Sequence, residues 1–570
     1  MPATKLAAAS PDAPLRQIER LSCEERDVLR LKAMFAWPSN RRFQQQLQRL
    51  RGISEDHANG LRLPMLGALA MQDITEEAGA VKADKEWKAF VARLNAAESR
   101  QPQPPTTLQA ELRDYQLEGF QWLSRLSHWQ AGACLADDMG LGKTVQAIAV
   151  MLEQAPQGPC LVIAPTSVCH NWERELSRFA PSLALQRLGA AAGRAEIIAG
   201  LKAMDVLVIS YGLLHQEADR LAEIDWRMVV FDEAQAIKNA ETRRAQAGQR
   251  LKANFRLALT GTPIENYLEE LWSLFNIINP GLLGSRERFS RRFATPIERN
   301  RDSGALQSLR ALIRPFILRR TKSAVLAELP PRTEVTLEID LPEEERAFYE
   351  AMRRRALEAL AEIGDGGGKG GQNRIHILAE ITKLRRACCH PALVDPGTVL
   401  PGAKLEAFLE LVEDLIRNRH KALVFSQFVG QLERVGDALR ARKIAFQYLD
   451  GATPAPERAR RVDAFQAGEG DLFLISLKAG GTGLNLTAAD YVIHLDPWWN
   501  PAVEDQASDR AHRIGQLRPV TIYRLIARDS IEEKILDLHR AKRDLASDLL
   551  EGAEMSARLT DEDLLNLIRG

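Results

Sequence analysis

Asp138 Met139 Gly140 Leu141 Gly142 Lys143 Thr144 runs directly into an apolar stretch of helical periodicity, residues 145–152. A glycine-rich turn that opens a helix is built for phosphate. Glycine lets backbone N–H groups approach the oxygens closely, and the helix N-terminus favours negative charge. The ammonium of Lys143 suits β and γ oxygens, and the hydroxyl of Thr144 suits a magnesium ion. The usual pattern has glycine five residues before Gly142, and this chain has Asp137 there. The turn therefore needs a second motif before it decides anything.

That motif is Val229 Val230 Phe231 Asp232 Glu233 Ala234 Gln235. An apolar strand delivers two carboxylates to its carboxyl end, where open α/β sheets bind ligands. Asp232 suits the magnesium ion and Glu233 suits the attacking water, a role the phosphate turn cannot fill. Together the motifs predict nucleoside triphosphate hydrolysis.

Working outward, short apolar runs at residues 160–164, 206–210, 228–231 and 255–259 alternate with amphipathic spacers. That alternation predicts βα units on a parallel sheet. It resumes at residues 422–425, 445–449, 472–476, 491–495 and 520–525, predicting a second α/β lobe. Between them, residues 264–400 carry helical periodicity and a glycine tract at 364–371, which reads as helical insertions joined by a loop. Residues 1–107 read as a charged helical accessory region, for example 15–36, closed by the connector Gln101 Pro102 Gln103 Pro104 Pro105. The expected division is 1–107, a first lobe at 108–263, insertions at 264–400, a second lobe at 401–530 and a helical tail at 531–570.

Composition narrows the function classes. Apolar residues at 45% and charged residues at 27% fit a globular chain, and no apolar run reaches the ~18 residues a membrane span needs. The first ten residues lack the apolar core of a secretory signal, so a cytosolic location is expected. Six scattered cysteines, of which only Cys388 and Cys389 are close, lack metal-binding spacing and read as buried thiols. Acidic and basic residues balance at 76 each, so any nucleic-acid surface must be a local patch.

The ordered strings resemble the Swi/Snf-type ATPases of helicase superfamily two, a group that includes chromatin remodellers and bacterial DNA translocases. The likeness runs from about residue 108 to 538. It rests on Leu112 Arg113 Asp114 Tyr115 Gln116, the phosphate turn, Pro165 Thr166 Ser167, Ser210 Tyr211, the Asp232 motif and Leu259 Thr260 Gly261 Thr262 Pro263. In the second half it continues through Val424 Phe425 Ser426 Gln427, Ser476 Leu477 Lys478 Ala479 Gly480 Gly481 Thr482 Gly483 Leu484 Asn485, and residues 506–516.

The resemblance implies two tandem RecA-like lobes that use ATP and Mg2+. It implies that Gln116 reads the adenine edge, that Lys143, Asp232 and Glu233 are catalytic, and that Arg510 and Arg513 are arginine fingers. Spaced three apart, those arginines are expected on one face of a helix. It further implies that Ser210, Gln235, Thr260, Gly261, Thr262, Lys478, Gly480, Thr482 and Gln506 touch a nucleic-acid backbone or couple it to the ATP site. Gln235 departs from the histidine common in eukaryotic remodellers, which leaves the strength of coupling open.

The expected partner is double-stranded DNA, contacted without regard to sequence, and the expected activity is translocation that remodels or displaces a DNA-bound protein, RNA polymerase or another. No membrane is involved, and in a bacterium the motor would sit on the nucleoid. Two alternatives stay open: a strand-separating helicase, and a binding switch toggled by ATP. Arg319, Arg320 and Lys322 either touch duplex phosphates or pair with acidic groups within the protein. Trp498 and Trp499 read as packing residues rather than base-stacking platforms.

Overall fold

A computed structural model describes residues 18–25, 28–33, 55–57, 60–64, 100–188, 193–263, 267–300, 302–326, 328–365, 370–480, 484–537 and 568. The chain divides into two units, Met1–Asp137 with Gly142–Arg320, and Asp138–Leu141 with Thr321–Gly570.

Near the N-terminus the structure departs from the sequence reading. Strands β1 (Ile18–Glu25), β2 (Val28–Ala33), β3 (Glu55–His57) and β4 (Gly60–Pro64) form an antiparallel sheet in the order β1-β2-β4-β3. The stretch 15–36 had been expected to be helical. Its second half reads Val28 Leu29 Arg30 Leu31 Lys32 Ala33, an apolar/charged alternation of period two, which is the strand period. The register aligns Leu21 with Leu31, and Leu31 with Leu61.

The first unit is built on a seven-stranded parallel sheet. Its strands are β5 (Ala133–Leu135), β6 (Cys160–Ala164), β7 (Ala184–Arg187), β8 (Asp205–Ser210), β9 (Asp225–Asp232), β10 (Lys252–Leu259) and β11 (Ile317–Leu318), in the order β11-β5-β10-β9-β6-β8-β7. All five residues of β6 are buried, as expected of a central strand covered on both faces. Two helices matter for the site: α1 (Asp114–Trp129) and α2 (Lys143–Gln154), which follows β5. Strand β11 comes from the stretch read as helical insertions. It returns to pair with β5, Leu318 beside Leu135.

The second unit carries a six-stranded parallel sheet: β12 (Arg332–Ile339), β13 (Ala422–Ser426), β14 (Phe446–Leu449), β15 (Leu472–Ser476), β16 (Tyr491–His494) and β17 (Val520–Ala527), ordered β12-β17-β16-β13-β15-β14. Its two faces feed separate cores. Ala422, Val424, Leu472, Leu474 and Ile493 join one, with Phe408 and Val412 of helix Ala403–Arg417. Leu423, Phe425, Phe473, Ile475 and Val492 join the other, with Phe465 and Ala507. Period-two division of continuous apolar strands is what a doubly covered parallel sheet requires.

Strand β12 also falls within the stretch read as insertions. Most of that stretch is helical, including Glu343–Asp365 and Gly370–Cys389. These helices extend into the glycine tract from both sides, and its residues 366–369 lie outside the described residues. Of the expected tail, residues 531–537 are helical.

Candidate nucleotide site

Parallel strands of the first sheet end together. Leu259 of β10 is level with Leu135 of β5 and with Asp232 of β9, and Ala164 of β6 is level with Ser210 of β8. The chain segments that follow these residues therefore emerge along one sheet edge. They carry the phosphate loop after β5, Glu233 and Gln235 after β9, Thr260–Thr262 after β10, and Tyr211 after β8.

The loop is a glycine-built turn. Gly140 and Gly142 have φ of +87° and +77°, where a side chain is strained. Leu141 donates its N–H to the Asp138 carbonyl at 3.4 Å, and Asp138, Met139, Gly140 and Leu141 lead into α2, capped by Gly142. Lys143 Nζ donates to the Asp137 carbonyl at 2.6 Å. Thr144 occupies the first turn of α2. Gln116, on α1, accepts from the Arg113 N–H at 3.1 Å through Oε1 and donates to the Tyr115 hydroxyl at 3.3 Å through Nε2. Its Nε2 also lies 2.4 Å from where a Cβ on Gly142 would stand, so a side chain there would displace the Gln116 amide.

Asp232 is held on three sides. Trp172 Nε1 donates to its Oδ2 at 2.7 Å, the Glu233 N–H donates to its Oδ1 at 2.9 Å, and the Tyr211 hydroxyl donates to its carbonyl at 2.9 Å. Desolvation, reinforced by the negative charge of Glu233, pushes the Asp232 carboxyl up to about 7, against the pull of the Trp172 and Glu233 hydrogen bonds and Lys143. A buried carboxylate whose charged form is disfavoured in this way suits a bound cation, which would reverse that shift. The hard oxygen donors of Asp232 and Thr144 fit Mg2+ rather than a softer metal. Glu233 itself has φ +47°, a left-handed conformation uncommon outside glycine and costing ~1–3 kcal/mol.

Gln235 joins Glu233 to Thr260, the two sides it was expected to help couple. Its Nε2 donates to Glu233 Oε2 at 2.8 Å, and its Oε1 accepts from the Thr260 hydroxyl at 3.1 Å. The Thr260 oxygen in turn accepts from the Thr262 N–H at 3.0 Å. Thr260 is buried, and Gly261 and Thr262 continue the loop after β10. Ser210 has a capping role: its hydroxyl accepts from the Leu213 N–H at 3.3 Å at the start of helix Tyr211–Gln216.

In the second unit, helix Pro501–Ser508 contains Gln506 but ends before both arginines. Arg510 and Arg513 lie in the turns beyond it, not on a helical face. The Arg510 carbonyl accepts from the Leu486 N–H at 3.1 Å, and the N–H groups of Arg510 and Ala511 tighten to i−3 acceptors. Arg510 is fully buried, and Arg513 Nη1 donates to the Leu484 carbonyl at 3.1 Å. Around them stands an ion-pair network absent from the sequence reading: Lys322 to Asp509 at 2.6 Å, Arg332 to Asp505 at 2.8 Å, and Arg524 to Glu504 at 2.9 Å. Lys478 and Gly480 lie in the short helix Leu477–Gly480, and Thr482 lies outside the described residues.

Two of the three basic residues left open pair within the protein. Arg320 pairs with Asp137 at 2.6 Å, and Lys322 pairs with Asp509, so both serve acidic groups of the protein. The tryptophans pack as expected: Arg385 stacks on Trp498 and Trp499 with centroid distances of 6.0 and 5.1 Å. Cys134, Cys160, Cys388 and Cys389 are buried free thiols. Among the described residues no group of three or more His, Cys, Asp and Glu side chains is placed to hold a metal ion by itself, and no helix is long and apolar enough to cross a membrane.

Residues 115–393 match the SNF2-related domain, and residues 403–515 match the helicase conserved C-terminal domain. The chain belongs to the SNF2-related family of helicase-like ATPases. Its relatives include the putative ATP-dependent helicase/translocase YwqA of Bacillus subtilis, 39% identical over 85% of this chain and 54% of that protein. An uncharacterized ATP-dependent helicase of Mycoplasma pneumoniae is 38% identical over 80% of this chain and 44% of that protein. This SNF2-related chain thus spans about half the length of those curated relatives. Among solved structures, the Sulfolobus solfataricus SWI2/SNF2 ATPase core in complex with dsDNA is 37% identical, covering 80% of this chain and 96% of that one, with a TM-score of 0.41.

Proposed function

We propose that the chain is a DNA-dependent ATPase that translocates on double-stranded DNA and displaces or remodels protein bound there. The observation that carries this reading is the hydrogen-bonded chain from Glu233 through Gln235 to Thr260 and the Thr262 N–H. One end is the carboxylate that orients the attacking water. The other is a loop of hydroxyl and backbone groups, the kind that positions phosphates without reading sequence. A side-chain amide donates and accepts at once, so Gln235 fills the bridging role, and its departure from histidine leaves the link intact.

In this reading Lys143 and the loop N–H groups bind the β and γ phosphates, and Gln116 selects adenine. Bound magnesium, held by Thr144 and Asp232, supplies charge neutralisation on the phosphates. Glu233 orients and deprotonates water, and Arg510 and Arg513 stabilise charge on the transferring phosphoryl group, a contribution that reaches ~10³ or more in related enzymes. Backbone grip through Ser210, Thr260, Gly261, Thr262, Lys478, Gly480, Thr482 and Gln506 predicts affinity that is independent of sequence and weakened by salt.

The test is steady-state ATP hydrolysis with no nucleic acid, single-stranded DNA, duplex DNA and duplex RNA at two salt concentrations, with Lys143→Ala as the blank. It is paired with displacement of a third strand from a DNA triplex. Duplex DNA is expected to stimulate turnover, and ATP to drive triplex displacement. Preference for single strands with duplex unwinding would establish the helicase alternative. Absence of stimulation by any nucleic acid would favour the switch.

A further inference from the structure

Arg320 stands where several parts of the first unit converge. Its Nε and Nη2 donate to the two oxygens of Asp137 at 3.0 and 2.6 Å, a bidentate fork on a fully buried carboxylate. Nη2 also donates to Gln146 Oε1 at 2.9 Å, and Nη1 donates to the Tyr115 carbonyl. The guanidinium lies 5.2 Å from the centre of the Tyr115 ring. One side chain thereby ties the end of β5, the first turn of α2 and the first turn of α1. Those are the elements that carry Lys143 and Gln116.

Packing around this fork leaves no slack. A Cβ on Gly119 would fall 1.9 Å from Gln146 Oε1 and 2.7 Å from Arg320 Nη2, so α1 approaches the fork as closely as a glycine permits. Asp137 works at both ends: its carboxylate receives Arg320, and its carbonyl receives Lys143 Nζ at 2.6 Å. This explains why an aspartate occupies the first position of the loop, where the usual pattern has glycine. Arg320 lies two residues beyond β11, the short strand by which the chain rejoins β5 after the helical segments of residues 268–316.

We propose that Arg320 is a positioning residue for the nucleotide. Through Asp137 it sets the height and tilt of the phosphate loop against Gln116, and because it is anchored on β11, nucleotide affinity depends on those helical segments being seated on the sheet. Arginine is needed because its planar fork matches a carboxylate bidentately, whereas lysine is a point charge. The proposal rests on the nucleotide site proposed above.

The experiment is a binding titration with a fluorescent ATP analogue, together with KM and kcat for ATP, on the full chain carrying Arg320→Lys, Asp137→Asn, both, and Gly119→Ala. Thermal melting is recorded for each. Arg320→Lys keeps the buried charge paired, and Gly119→Ala displaces the fork without removing a charge. Each single variant is expected to raise the dissociation constant and KM about tenfold with kcat within about twofold, the signature of lost uniform binding. The double variant is expected to be no worse than the poorer single one, because both remove the same interaction. Folded variants that bind like wild type, or effects of Arg320→Lys and Asp137→Asn that simply add, would overturn the proposal. So would a lowered melting temperature with unchanged KM, which marks a purely structural role. Wild-type protein that binds no analogue would instead overturn the nucleotide site itself.

Discussion

Thr260→Val removes one hydroxyl and almost no volume, at a buried position. The hydroxyl donates to Gln235 Oε1 at 3.1 Å and accepts from the Thr262 N–H at 3.0 Å. The Gln235–Glu233 bond at 2.8 Å is untouched, so the water-orienting carboxylate keeps its support. A neutral hydrogen bond of this kind is worth ~1 kcal/mol net. Loss of one or both bonds therefore weakens communication by ~1–2 kcal/mol, a factor of about 5 to 30. The expected result is ATP turnover without nucleic acid within about twofold of wild type, with stimulation by saturating duplex DNA reduced by that factor. Initial rates of phosphate release across a DNA titration measure both quantities, and melting confirms folding. Unchanged stimulation in a folded variant would refute the coupling chain. An equal fall in basal and stimulated rates would show instead that Thr260 supports the base and transmits nothing.

Glu233→Gln is expected to bind ATP as wild type and lose hydrolysis, whereas Lys143→Ala loses affinity as well; retained single-turnover cleavage in Glu233→Gln would remove Glu233 from the role of base. Arg513→Ala is expected to bind ATP near normally but turn it over at least about 100-fold more slowly, and a loss confined to affinity would contradict the finger assignment. Arg510 is buried, so Arg510→Lys is the informative substitution there, with the same expected split between binding and turnover. The part of the stability that His512 contributes should fall on acidification. His512 donates through Nε2 to the Pro330 carbonyl at 2.9 Å, and desolvation, helped by Lys322 and Arg332, holds its imidazole below the usual 6.5. A base with a lowered folded pKa binds more protons when unfolded, so its contribution is complete above about 6.5 and is lost as pH falls through the lower folded value. In melting scans from pH 8 to 5 the difference between wild type and His512→Gln should change with pH in that direction; a difference independent of pH would exclude His512 as its source.

What the sequence determined by itself is local and covalent. The phosphate turn needs glycines at φ +87° and +77° and a helix directly after it, and all of that is written in consecutive residues. Continuous apolar runs such as residues 422–425 announce strands buried on both faces, and the observed division of Leu423 from Val424 between two cores follows from their period. Two kinds of element escaped. Strand β11 is two residues long, too short for any periodic pattern, and the alternations of β2 and of β12, with Val335, Leu337 and Ile339 two apart, stand within stretches whose charge and helical periodicity mask them. Arg510 and Arg513 fall in turns where backbone bonds tighten to i−3 and the Arg510 carbonyl accepts from the distant Leu486 N–H, which spacing along the chain cannot foretell.

Tertiary structure alone decided who pairs with whom. Gln235 meets Thr260 because β9 and β10 end level, and Arg320 reaches Asp137 across 183 positions because β11 returns to β5. A carboxylate or an amide states its own chemistry in the sequence, but its partner is set by strand order and register. Those are properties of the whole sheet, fixed by burying both its faces at once.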